Sequence, residues 1–95
     1  MDRRGLNRRP QMRSCRYRVG SRVFEARIND ISWSGARLGD VPTVPEIGAP
    51  VVLLLTSEGA EMEIAGRVVH VASLSFGIKF EETRGSVMRK LRSFL

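Results

Sequence analysis

A small six-stranded antiparallel β-barrel with one C-terminal α-helix, mainly β in class, is the fold this sequence predicts. Three observations lead to it. From Arg22 onward, short segments alternate apolar and polar residues at period two. Only after Phe80 does the period change to the three- and four-residue spacing of a helix. The chain has 95 residues, which bounds it to one domain burying roughly 60 to 65 per cent of its unfolded surface. Six short strands in so small a chain close into a barrel more readily than they stack as a sandwich, because closure removes exposed edges.

Residues 1–10 have no apolar periodicity and end on Pro10, so they are read as a flexible arginine-rich arm and residues 11–95 as the barrel domain. Gln11 to Arg18 is expected to be the first strand, turning at Val19-Gly20-Ser21. Phe24, Ala26 and Ile28 alternate with Glu25, Arg27 and Asn29, a strand with one buried face that runs into Asp30 to Gly35. Ala36 to Leu38 forms a short strand before the proline-bearing loop Gly39 to Pro50. Val51 to Leu55 is apolar on both faces, as a central strand is, and Thr56-Ser57-Glu58-Gly59 supplies a turn. Met62, Ile64 and Val68 alternate with Glu61, Glu63 and Arg67, with a bulge expected at Gly66. Leu74, Phe76, Ile78 and Phe80 make the last strand, in a hairpin turned at Ala72-Ser73. A helix at about residues 82–95 places Val87, Met88, Leu91, Phe94 and Leu95 on one face, opposite Arg89, Lys90 and Arg92, and is expected to cap an open barrel end.

Composition excludes several functions. With 42% hydrophobic and 27% charged residues the chain has the make-up of an ordinary soluble domain. Its longest apolar run, Val51 to Leu55, falls far short of the ~18 residues of a membrane span, so no membrane insertion is expected. No apolar stretch follows the N-terminal arginines as in a secretory signal, and residues 1–13 lack the serines and amphipathic face of a transit peptide. Cys15 and His70 are the sole cysteine and histidine. They permit no intrachain disulfide, no zinc ligand set and no ordinary Cys/His nucleophile pair. A reducing cytoplasm fits, and neither a metal nor enzymatic activity is expected. The net charge of +6 is unevenly placed: residues 1–22 hold eight arginines against Asp2, whereas residues 23–95 hold eight Lys/Arg against nine acids. The chain is a near-neutral body with a cationic arm, and the arm is where an anion should bind.

Two short motifs carry the chemistry. Arg4-Gly5-Leu6-Asn7-Arg8 sets two guanidinium groups four residues apart, each a planar fork suited to phosphate oxygens or to the O6/N7 edge of guanine. Asp30-Ile31-Ser32-Trp33-Ser34-Gly35 lies where a strand gives way to a turn at the barrel mouth. Asp30 can accept from a guanine Watson–Crick edge, Ser32 can donate to a phosphate or carbonyl, and Gly35 permits close backbone approach. Asp30 and Ser32 bonding only their own backbone is the ordinary alternative. Trp33 is expected to pack on the barrel rim and His70, sharing parity with Ile64 and Val68, to be a partly buried residue. Cys15 is read as a small strand residue, and nothing pairs Asp40 with Glu46 for acid–base work.

The order of these features, an Arg-x-x-x-Arg pair, Pro10 two residues after the second arginine, a strand pair and then Asp-x-Ser-x-x-Gly, resembles the PilZ domain family of bacterial cyclic di-GMP receptors. The later Gly77-Ile78-Lys79-Phe80 segment and the terminal helix also match the family's layout. The resemblance implies a PilZ-like split barrel in which Arg4, Arg8, Asp30, Ser32 and Gly35 surround cyclic di-GMP. Arg9 and Arg13 also stand four apart, but Pro10 favours Arg4 and Arg8 as the pair; the extra Arg9 either adds a phosphate contact or is neutral. Arg37 is a secondary candidate. On this resemblance the chain is a cytoplasmic receptor whose arm becomes ordered on ligand binding and signals to a downstream protein partner, as a monomer or a ligand-bridged dimer. The alternatives are a small barrel binding nucleic acid nonspecifically and a PilZ-like adaptor without ligand. The first would need aromatic stacking platforms, whereas most of the aromatic residues fall at core parity.

Overall fold

The computed structural model describes residues 13–57, 59–92 and 94; the expected arm and the first two residues of the expected first strand lie outside these. Six strands and one helix follow in order: β1 (Arg13–Val19), β2 (Arg22–Ile31), β3 (Gly35–Gly39), β4 (Pro50–Ser57), β5 (Ala60–Ala72), β6 (Ser75–Phe80) and α1 (Arg84–Leu91). They close into a barrel in the order β1-β2-β3-β6-β5-β4, with every neighbouring pair antiparallel.

Period-two patterning accounts for the interior. Cys15 and Tyr17 from β1, Ala26 and Ile28 from β2, Leu53 and Leu55 from β4, and Phe76, Ile78 and Phe80 from β6 all point inward. Tyr17 is fully buried, with its ring 5.3 Å from that of Phe24 and 5.1 Å from that of Phe76. Burial pushes the Cys15 thiol up to about 12, so it behaves as a small apolar side chain. Gly20, at φ +62, supplies the left-handed residue of the two-residue β1–β2 turn.

The barrel ends are closed differently. At the end where β1, β3 and β5 begin, Val87, Leu91 and Phe94 insert into the core. At the other end the 40–49 loop inserts Val41, and the Tyr17 hydroxyl donates to the Thr43 carbonyl at 3.0 Å. The helix is shorter than the periodicity suggests. Thr83 caps its start, its hydroxyl accepting from the Ser86 N–H at 3.1 Å, and the chain leaves the helix after Leu91. Met88 is 38% exposed and does not join the buried face.

Two sequence expectations are corrected on β5 and β6. The bulge in β5 is at Val69, between Val68 and His70, rather than at Gly66. Gly66 instead serves close strand approach: a Cβ there would stand 2.7 Å from the Lys79 carbonyl oxygen, and one at Gly35, on the other flank of β6, 2.2 Å from that of Ile78. Leu74 does not begin the last strand. It occupies the hairpin turn with Ser73, at φ +58 and 61% exposed.

Glu82, between β6 and α1, ties the helix to β5. Its carboxylate accepts from Lys90 Nζ at 2.9 and 3.1 Å, from Ser86 Oγ at 2.8 Å and from the Ala65 N–H at 3.1 Å. Partial burial opposes its ionisation, but these hydrogen bonds and the Lys90 charge outweigh that and hold the carboxyl below the usual glutamate range. A carboxyl depressed on folding contributes stability above its unfolded pKa that is lost as pH falls through the folded value. Thermal unfolding should therefore show Glu82→Gln less stable than the unmodified chain at neutral pH, with a smaller loss between about pH 5 and 3. In urea titrations, Gly35→Ala and Gly66→Ala should each lose about 2 kcal/mol, since backbone blocks the added methyl.

Candidate functional site

Ile28 is fully buried and Ile31 is 1% exposed, although they are three residues apart on one strand. Simple alternation would send them to opposite faces. A bulge resolves this: Ile28 pairs with Leu38 and Asp30 with Arg37, so that β2 has one residue more than β3 over this stretch. Both isoleucines then face the core and Asp30 lies on the outer side. The bulge at Val69 does the same on β5, where Val68 is buried but both Val69 and His70 are exposed. His70 is therefore not the partly buried residue that its parity predicted.

Between the two bulges, Asp30 on β2, Arg37 on β3, Gly77 on β6 and His70 on β5 are successive cross-strand partners. They lie across an open groove of about 450 Å³, within the usual size of small-molecule sites. Ser32, Ser34 and Gly35 border it on the motif side, and Lys79, the partner of Gly35, adds a second cation beside Arg37.

The motif turn is tied down by its own bonds. The Ser32 N–H donates to the Gly35 carbonyl at 2.9 Å, the Ser32 hydroxyl accepts from the Ser34 N–H at 3.3 Å, and the two serine hydroxyls lie 3.1 Å apart. The Phe80 N–H donates to the Ser34 carbonyl at 2.9 Å, fastening the turn to the end of β6. Trp33 packs against the core as expected of a rim residue, and the Arg84 guanidinium lies 4.7 Å from its ring centroid, linking the turn to α1. Local bonding of Ser32 is thus present, while its hydroxyl still borders the groove. Gly35 has a structural role of its own, since the closeness of Ile78 leaves no room for a side chain.

Asp30, Ser32 and Gly35 are brought together with the secondary candidate Arg37. Arg4, Arg8 and Arg9 lie outside the described residues. His70, Lys79 and Val69 were missed as groove residues by sequence reasoning. Lys79 was signalled by its outward parity on β6, but His70 depends on a bulge that leaves no mark in the alternation. Among the described residues, no group of three or more His, Cys, Asp or Glu side chains is placed to hold a metal, and no helix is long and apolar enough to cross a membrane.

Comparison with known proteins agrees with this architecture. No curated protein sequence matches the chain. Among solved structures, it is similar to the crystal structure of the PilZ domain of CeSA from a cellulose-synthesizing bacterium, with a TM-score of 0.75 and 18% identity over 93% of this chain and 97% of that one. At that identity the likeness is one of fold. The family profile described as PilZ domain matches residues 2–95, nearly the whole sequence. This chain belongs to the PilZ domain family.

Proposed function

We propose that this chain is a bacterial, cytoplasmic receptor module for cyclic di-GMP that grips the dinucleotide between its arginine arm and the groove beside Asp30. PilZ domains are generally binding modules for this second messenger and not enzymes. The observation that carries the proposal is the convergence of Asp30, Ser32 and Gly35 on one open groove at the barrel end where β1 begins. Arg13, the first residue of β1, pairs with Ile28, two positions before Asp30. Arg8 precedes Arg13 by five residues, a stretch reaching at most ~18 Å. That is long enough to bring a guanidinium over the groove. In this reading Arg4 and Arg8 supply forks for phosphate and base, with Arg9 beside them, while Asp30 accepts from the guanine Watson–Crick edge and Ser32 donates to a phosphate or carbonyl.

Ligand binding would hold the arm against the barrel and create a composite surface for a downstream protein. Holding the arm costs conformational entropy, which bidentate contacts of about 1 to 3 kcal/mol each must offset. The reading as a nonspecific nucleic-acid binder is disfavoured because Tyr17, Phe76, Phe80 and Phe94 are buried in the core and unable to serve as stacking platforms.

Calorimetric titration with cyclic di-GMP, with GTP and cyclic GMP as controls, tests the proposal. The unmodified chain should bind the cyclic dinucleotide selectively, and Arg8→Ala and Asp30→Ala should each weaken binding about tenfold or more. Equal binding by Arg8→Ala would overturn the arm's role, and tight binding to unrelated oligonucleotides with a steep salt dependence would favour the nucleic-acid reading. Light scattering of the complex distinguishes a monomer from a ligand-bridged dimer.

A further inference from the structure

Two cations outside both motifs set this groove apart. The other strand arginines are engaged: Arg16 with Glu61, Arg18 with Glu63, Arg27 with Asp40, Arg67 with Glu81, and Arg13 and Arg22 over phenylalanine rings. Arg37 on β3 and Lys79 on β6 are the two strand cations with no hydrogen bond, ion pair or ring contact among the described residues, and both border the groove. In a barrel wall whose other described arginines are all engaged, two unmatched cations on one site point to a ligand that supplies the acceptors.

The floor between them is equally specific. Gly77 pairs with Arg37 on one side and His70 on the other. Its φ is not in the left-handed region, and a Cβ there would meet nothing closer than 3.6 Å. Neither backbone strain nor packing demands glycine at this position, unlike Gly35 and Gly66. Gly77 is itself buried among its neighbours, and its lack of a side chain leaves room above the strand for a planar ring.

Resting on the cyclic di-GMP reading, we propose that Arg37 is a specificity-determining residue for guanine: its guanidinium donates to O6 and N7 of the base while Asp30 accepts from N1 and N2 of the same ring, which lies over Gly77. Direct cross-strand partners present their side chains side by side, with Cβ atoms ~5 Å apart. Guanine carries its two acceptors, O6 and N7, next to its two donors, N1–H and the N2 amino group, so an arginine beside a carboxylate matches it edge for edge. Adenine turns an amino donor toward the same arginine and is rejected. Lys79, a point charge without a fork, adds attraction for phosphate but does not read the base.

Calorimetry with cyclic di-GMP and its analogue carrying 7-deazaguanine in both positions tests this on the whole chain. The unmodified protein should bind the parent about tenfold more tightly than the analogue, which lacks the N7 acceptor. Arg37→Val, which keeps a strand-forming residue at an exposed position, should weaken the parent about tenfold and shrink the ratio of the two affinities several-fold. Lys79→Ala should weaken both ligands alike and leave the ratio unchanged. Gly77→Ala should unfold at the unmodified temperature yet bind both ligands more weakly. Retention of the parent's full advantage by Arg37→Val, or full affinity in Gly77→Ala, overturns the inference while leaving the cyclic di-GMP reading intact. Failure of the unmodified chain to bind cyclic di-GMP overturns both.

Discussion

The requirement to bury both Ile28 and Ile31 shapes the rest of this barrel end. A regular strand reverses its facing at every residue, so two core residues three apart cannot share a face without one extra residue between them. The β2 bulge supplies it. Asp30 consequently lies on the outer side opposite Arg37, and the strand ends in a turn whose polar groups border the groove. A carboxylate at the mouth of a barrel follows here from the burial of its apolar neighbours.

The same logic operates at the opposite wall of the groove. On β5 the extra residue is Val69, and it leaves His70 exposed across from Gly77. Strand β6 runs between β3 and β5 in a confined channel, with Gly35 on one flank and Gly66 on the other, because the carbonyls of Ile78 and Lys79 leave no space for a methyl group on either side. The close approach draws β3, β6 and β5 into one surface, and Gly77, itself buried, adds no side chain where the groove crosses it. Gly35 is consequently a residue of the barrel as much as of the motif, and its substitution reports on folding.

Charge is distributed to match. Over most of the wall the positive side chains of β1, β2 and β5 are met by carboxylates or aromatic rings. Such exposed pairs contribute only ~0 to 1 kcal/mol each. They nonetheless leave the electrostatic character of the surface to the groups that are not matched, and among the described residues the unmatched strand arginine and lysine are Arg37 and Lys79. The helix is fastened through Glu82 and Lys90 at the end where the groove opens, and Arg84 over Trp33 couples it to the motif turn.

Much of this was legible in the sequence because period-two alternation, turn glycines and a late change to helical spacing are local signals. They established the order of the six strands and the helix, the inward parity of Ile28, Phe76 and Ile78, and the motif holding Asp30, Ser32 and Gly35. The expected arginine arm, read from its charge, lies outside the described residues. What the alternation could not reveal was where it breaks. A bulge is chosen by the register of a partner strand far along the chain, so the exposure of His70, the misplaced bulge at Gly66 and the assignment of Leu74 to a turn awaited the paired strands. Likewise, which cations remain unmatched depends on carboxylates 13 to 45 residues distant in sequence, such as Asp40 for Arg27 and Glu61 for Arg16. Local pattern determined the elements; only closure of the barrel decided which side chains share the groove, because cross-strand neighbours are set by register and not by sequence separation.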